Sequence, residues 1–180
     1  MESFDEVALF NLAIELGLPE LLSLCQTNKK MKRLICDKDN IWNYRLNKDF
    51  PEETVLREKF RSLNMSPKNS YQTLYSLNNF RTKFGFGKES LLYLYNRDFI
   101  PFINIDKIPK ELKLLPNLRI LNLAHNLKKI DPAEILKTLK DLPNLKILYL
   151  DKKQISQIDK LSPNLPADLK KKIVLFMPRF

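Results

Sequence analysis

Cys25, Cys36 and His125, the one histidine of the chain, are the side chains best suited to nucleophilic attack or metal ligation. A thiolate nucleophile needs a base within hydrogen-bond reach, and no histidine lies near either cysteine in sequence. No Cys/His spacing matches a zinc site, and three glycines could hardly build a phosphate-binding loop. The acid pair Glu52-Glu53 follows Pro51 at the start of a helical pattern, where the helix dipole accounts for it. The apolar patterns around the two cysteines favour small buried side chains with free thiols over a disulfide or a metal site. These residues point to a chain that is not an enzyme and takes no cofactor. The chemistry that remains is recognition by a surface.

A repeat would build that surface. Leu115–Asn126 reads LPNLRILNLAHN, and 27 residues later Leu142–Lys153 reads LPNLKILYLDKK. The pattern L-x-x-L-x-L-x-x-N at a period of about 20 to 29 residues is that of a leucine-rich repeat. One copy cannot bury its apolar face alone, so copies stack and share a core. Strand alternation turns Leu121 and Leu123 inward and Ile120, Asn122 and Ala124 outward. In the second copy Ile147, Tyr149 and Asp151 point outward. Leu92–Asn96 reads as a degenerate first strand showing Leu91, Tyr93 and Tyr95. Lys172–Phe176 reads as a last strand showing Lys172, Val174 and Phe176. Such a face is apolar for an exposed surface. Either a partner covers it or the helical connector folds back over it. The candidate target-binding residues are Ile120, Asn122, Ile147, Tyr149 and Asp151, with Tyr149 as the anchor and the surrounding lysines assisting an acidic partner.

The returns between strands differ. Asp131-Pro132-Ala133-Glu134 places a cap, an N1 proline and an acid in the order of a capping box, so a helix follows with Ile135 and Leu139 inward. The second return, 156–165, with Pro163 inside it and Pro166 just after it, reads as irregular or a single turn. Asn126 is expected to satisfy backbone groups in its turn. Its counterpart Lys153 cannot accept a hydrogen bond, so the second turn is expected to be looser.

The first fifty residues read as short helices. Val7, Phe10 and Ile14 recur at helical spacing, and Gly17 reads as the residue that ends their helix. Leu18, Leu21, Leu22 and Cys25 define a second. Thr27 or Asn28 caps a third, with Met31, Leu34 and Ile35 on one face. Ile41, Trp42, Tyr44 and Leu46 follow a polar break. From Leu18 to Leu46 the run LPELLSLCQTNKKMKRLICDKDNIWNYRL resembles the body of an F-box, through Leu21-Leu22-Ser23-Leu24-Cys25, Asp37 and Trp42. The resemblance covers roughly residues 4–50. Where that family opens with Leu-Pro, this chain has Ser3-Phe4-Asp5. F-box domains followed by leucine-rich repeats occur in eukaryotes and in large DNA viruses. The resemblance implies docking on a Skp-family adaptor of a cullin-based ubiquitin ligase. The residues it implicates are Val7, Phe10, Leu18, Pro19, Leu22 and Trp42.

The resulting expectation is an α+β chain: residues 1–50 an F-box-like helical domain, 51–85 a helical connector, and 86–180 a short leucine-rich-repeat solenoid with parallel strands. In the connector, Val55, Leu56, Phe60 and Leu63 form one apolar face, and Tyr71, Leu74, Tyr75 and Leu77 another. Residues 1–50 carry a net charge of −1 and residues 51–180 a net of +11. The basic residues are scattered among acids, which favours a solvated lysine surface over a nucleic-acid site. No apolar run reaches the length that spans a membrane. The acidic start MESFDEV argues against a secretory signal, and with two cysteines suggests a reducing intracellular setting.

Overall fold

The computed structural model describes residues 4–87, 90–101, 105, 107–124 and 130–177. The chain divides into two compact units, Met1–Ser76 and Leu77–Phe180.

The first unit is helical. Helix α1 spans Phe4–Glu15 and α2 spans Leu18–Thr27. Gly17 does not end α1 in a left-handed turn. It is extended, caps α2, and stands before the helix-starting Leu18-Pro19. Asn28 caps the short α3, Lys29–Met31, its Oδ1 accepting from the Lys30 and Met31 amides at 3.0 and 3.1 Å. The backbone then widens through Lys32–Cys36, where the Asp37 amide donates to the Lys32 carbonyl at 2.9 Å. That extra residue per turn brings Ile35 and Cys36 side by side into the core. Helix α4, Asp39–Asp49, supplies Ile41, Trp42 and Leu46 to the same core. The Trp42 Nε1 donates to the Cys36 carbonyl at 2.9 Å, so its one polar atom is satisfied inside.

Cys25 and Cys36 form a disulfide, with Cα atoms 6.1 Å apart. This overturns the expected free thiols. Burial was foreseen for both, but burial in one core places them together, which an eleven-residue spacing does not reveal. The pairing also removes the free-thiol support for a reducing compartment.

Arg45 is a charged group inside this unit, with only 5% of its surface exposed. Its Nη1 donates to the carbonyls of Ala13 and Leu16, at 3.2 and 2.7 Å, where α1 ends. Its guanidinium faces the Tyr71 ring at 5.2 Å, and Asp49 lies 3.5 Å from its Nε. The Tyr71 hydroxyl donates to the same Asp49 carboxylate. Burial, and then that hydrogen bond, push the Tyr71 phenol well above its usual range.

Helix α5 is Thr54–Ser62, beginning later than its Pro51-Glu52-Glu53 signal suggested. It buries Leu56 and Phe60, while Val55 and Leu63 remain exposed, so the expected apolar face is narrower by half. Helix α6 runs Pro67–Lys83. Tyr71, Leu74 and Leu77 are inward as expected, and Tyr75 is half-buried.

In the second unit, α6 ends where Gly85 adopts φ 79° and the Phe86 amide reaches back to the Arg81 carbonyl at 2.9 Å. This closure needs a left-handed residue, which glycine adopts without steric cost. Phe80 and Phe86 stack at 5.7 Å, and Arg97 covers Phe86 at 4.9 Å. Leu92–Asn96, expected as a strand, belongs instead to helix α7, Leu91–Asn96, capped by Ser90. Leu91, Leu94 and Tyr95 are its buried face, a helical spacing that a short apolar run disguised.

The strands are β1 (Phe99–Ile100), β2 (Ile120–Asn122), β3 (Ile147–Leu150) and β4 (Ile173–Leu175). They form one sheet in the order β1-β2-β3-β4, every neighbour parallel. Phe99 pairs with Ile120 and Ile120 with Ile147; Asn122 pairs with Tyr149 and Tyr149 with Val174. A 3₁₀ turn at Lys110–Leu114 precedes β2. Helix α8, Pro132–Asp141, returns from β2 with Ile135 and Leu139 buried. Asp131 caps it by accepting from the Ala133 amide at 2.9 Å, but Glu134 does not close a capping box. Its Oε1 accepts from the Ile108 amide at 2.9 Å instead. The Lys113 ammonium, bonded to Asp141 at 2.9 Å, holds that carboxyl below its ordinary range.

The second return is a helix too, not irregular: α9, Lys152–Leu161, followed by the short α10, Ala167–Lys170. Asp151 and Gln154 form the capping box, with bonds of 2.8 and 2.9 Å. The buried Gln154 amide also donates to the Leu123 carbonyl at 3.1 Å, which joins the second repeat to the first. The turn expected to be loose at Lys153 is thus the tightly capped start of α9. His125 and Asn126 lie outside the described residues.

Asn144 of the second LPNL donates its Nδ2 to the Pro116 carbonyl of the first, at 2.8 Å. Asn144→Ala should lower the stability of this unit by about 1 kcal/mol, the net worth of one such bond. A urea midpoint unchanged by the substitution would show that the repeats do not depend on it.

Candidate protein-interaction face

The parallel register gathers side chains into rows across the sheet. Leu121, Leu148 and Ile100 form the inward row, each fully buried. On the other side stand Phe99, Ile120 and Ile147 in one row, and Asn122, Tyr149 and Val174 in the next. Phe99 is 41% exposed and Val174 36%. Ile120, Ile147 and Tyr149 are half-buried. The Tyr149 ring meets Phe176 edge to face at 5.8 Å, which fixes it near the middle of the face.

Two of the sequence-derived face residues have other work. Asn122 is buried, and its Oδ1 accepts from the Ala124 amide at 3.0 Å. It therefore satisfies the backbone where the chain leaves β2, and Ala124 is buried with it. Asp151 is the cap of α9, as described above. Both sit where alternation would point them outward. The strands end there, and the alternation ends with them. Phe99 escapes the sequence pattern because its strand is two residues long and lies seven residues beyond the start of the apolar run Leu92–Asn96.

The helical unit distributes its six candidate residues differently. Val7 is 48% exposed, and Phe10 packs edge to face on Tyr44 at 5.9 Å. Both line a groove of about 450 Å³ with Leu34, Lys38, Asp39, Asn40 and Ile41. Pro19 is exposed and lines a second groove with Leu12, Leu16 and Leu24. Leu22 is half-buried. Leu18 and Trp42 lie in the core, and their burial accounts for them. Ser3 and the side chain of Phe4, where F-boxes carry Leu-Pro, are outside the described residues.

Among the described residues, no cluster of three or more His, Cys, Asp or Glu is placed to hold a metal ion. Nor is any helix among them long and apolar enough to cross a membrane.

A family model for leucine-rich repeats, in two copies, matches residues 116–163. The repeats match the leucine-rich kind. The matched span takes in β2, α8, β3 and α9, which are two consecutive strand-and-return units. Such repeats are suited to protein–protein interaction, since stacking leaves one continuous face of parallel strands. No curated protein and no solved structure matches the chain.

Proposed function

We propose that this chain is a non-catalytic adaptor: a short leucine-rich-repeat solenoid holds a target protein on its sheet face, and an F-box-like helical unit docks on a Skp-family subunit of a cullin-based ubiquitin ligase. The observation that carries the first half is the partly exposed apolar face in register across four strands. Contiguous apolar surface of this kind marks interaction sites. The second half rests on the F-box resemblance, supported by an exposed Val7 and half-exposed Phe10 at a groove. In that role the chain does no chemistry. It raises the local concentration of the target beside a charged ubiquitin-conjugating enzyme.

Burial of Leu18 and Trp42 favours a second reading. Folding alone explains these two matches to the F-box pattern, and the helices then serve a repeat-based interaction or structural protein without a ligase role.

Pull-down of the full chain with a eukaryotic Skp protein separates the readings. Capture is expected for the native chain. Val7→Asp, on an exposed position, should weaken it by about 2 kcal/mol, roughly thirtyfold, if Val7 is an interface anchor. No capture of the native chain at micromolar protein would leave the repeat-based reading.

A further inference from the structure

The edge of the sheet where the strands begin carries groups that apolar contact does not explain. Just before three of the four strands the chain places a cation. Arg119 precedes β2, Lys146 precedes β3, and Lys171-Lys172 precede β4. The strand register continues back through these positions: the Arg119 carbonyl accepts from the Lys146 and Ile147 amides at 2.8 and 3.0 Å, and the Lys172 carbonyl from the Leu148 amide at 2.7 Å. Arg119, Lys146 and Lys171 therefore form a row at the edge where the strands begin, one step before Ile120 and Ile147, while Lys172 stands in register with Ile147. With Pro116, Asn117, Pro143 and Asn144 they line an open groove of about 560 Å³. Arg119, Lys146 and Lys171 are exposed. Among the described residues none of the four makes an ion pair. Asp98 precedes β1 at the corresponding place and ends the row, its carbonyl accepting from the Arg119 and Ile120 amides at 2.8 and 2.9 Å.

Like charges on neighbouring strands repel, and an anion laid along them relieves the repulsion. The neighbouring apolar rows limit what that anion can be. Neighbouring strands are ~4.8 Å apart, so the cations repeat at about that interval. Carboxylates one turn apart on a helix repeat at ~5.4 Å, and those on one face of an extended strand at ~6.6 Å. A helix stays in step across three strands within the reach of a lysine, whereas an extended segment falls out of step. A nucleic acid would want aromatic platforms for its bases; Ile120, Ile147 and Val174 offer none, and of the aromatic residues here Tyr149 already meets Phe176 edge to face.

We propose that the sheet face receives an amphipathic acidic helix of a partner protein, lying across the strands. Its apolar side rests on Phe99, Ile120, Ile147, Tyr149 and Val174, and its carboxylates lie on Arg119, Lys146, Lys171 and Lys172. This rests on the reading of the sheet as the interaction face and adds the chemistry of the occupant.

The test is fluorescence anisotropy of labelled peptides with the full chain. The probe is a designed helix of about 18 residues, five turns, with glutamates along one edge and leucines beside them. Its twin carries glutamine at every glutamate position, a third peptide carries lysine there, and an oligothymidylate is the nucleic-acid probe. The glutamate helix should bind, and the glutamine twin should bind about tenfold more weakly at low salt. The pair Arg119→Glu and Lys146→Glu should lose about tenfold for the glutamate helix and gain affinity for the lysine helix, a swap that a misfolded variant would not show. Lys137→Glu with Lys140→Glu, on α8, should leave binding as it is.

Equal binding of the glutamate and glutamine helices would overturn the proposal. So would tighter binding of the oligothymidylate, or no binding of the glutamate helix at ~1 mM, the weakest affinity worth attributing to a site. If charge proves irrelevant but Tyr149→Ala still releases the peptide, the interaction face stands and its acidic occupant falls. If neither the reversal nor Tyr149→Ala changes peptide binding, both fall.

Discussion

Arg45→Ala is expected to destabilise the helical unit by about 3 kcal/mol, the scale of removing one partner from a buried, hydrogen-bonded charge network. The substitution leaves the Ala13 and Leu16 carbonyls without their donor at the end of α1. It also strips the cation from between Asp49 and the Tyr71 ring. Asp49 keeps the Tyr71 hydroxyl and is partly solvated, so the loss stops short of that for a fully buried orphan charge. Trp42 is the chain's one tryptophan and lies in this core, so its fluorescence follows this unit. The measurement is a urea titration read at that tryptophan, native against variant. Arg45→Lys should fall between the two, since an ammonium keeps the charge but not the planar fork. A shift below about 0.5 kcal/mol, the range of ordinary surface changes, would mean that the Arg45 network does not hold α1 against α4.

Tyr149→Ala is expected to cost target binding about 2 kcal/mol or more, thirtyfold or greater, as for a central aromatic anchor. The side chain is half-buried in the middle of the face and braced by Phe176. Its neighbours Leu148 and Leu150 carry the packing beneath the sheet, so the variant should fold. The measurement compares the proteins retained by native and variant chains, together with capture of the Skp protein by both. The expected result is a lost target with unchanged Skp capture, because Val7 and Phe10 belong to the other unit. An unchanged set of retained proteins would remove the sheet face as the receptor.

Much of the repeat was legible because leucine spacing encodes both strand and register. Leu118, Leu121 and Leu123 recur as Leu145, Leu148 and Leu150, and all six are buried. The pairing of Ile120 with Ile147 is the 27-residue period seen in space. Asp131-Pro132 announced α8 for a local reason, a cap and a fixed φ. The same kind of signal stands at Asp151 and Gln154, but Pro163 and Pro166, downstream of α9, point to an irregular return. Those prolines lie beyond the helix and do not interrupt it.

The sequence by itself determined what is periodic or local: two strands and their parallel stacking, the inward leucines, the helix after Asp131, a cap at Thr27 or Asn28, and the amphipathic helices of the first unit. Only the tertiary structure decided what depends on residues distant in the chain. It turned Leu91–Asn96 into a helix, since a six-residue apolar run fits either period and packing chooses between them. It joined Cys25 to Cys36, because proximity in a core is not written in a spacing. It took Asn122 and Asp151 out of the face, because each meets backbone groups that only the folded turn brings within reach. It aligned Arg119, Lys146 and Lys171 into a charged row, because the parallel ladder places side by side cations that in sequence stand more than twenty residues apart.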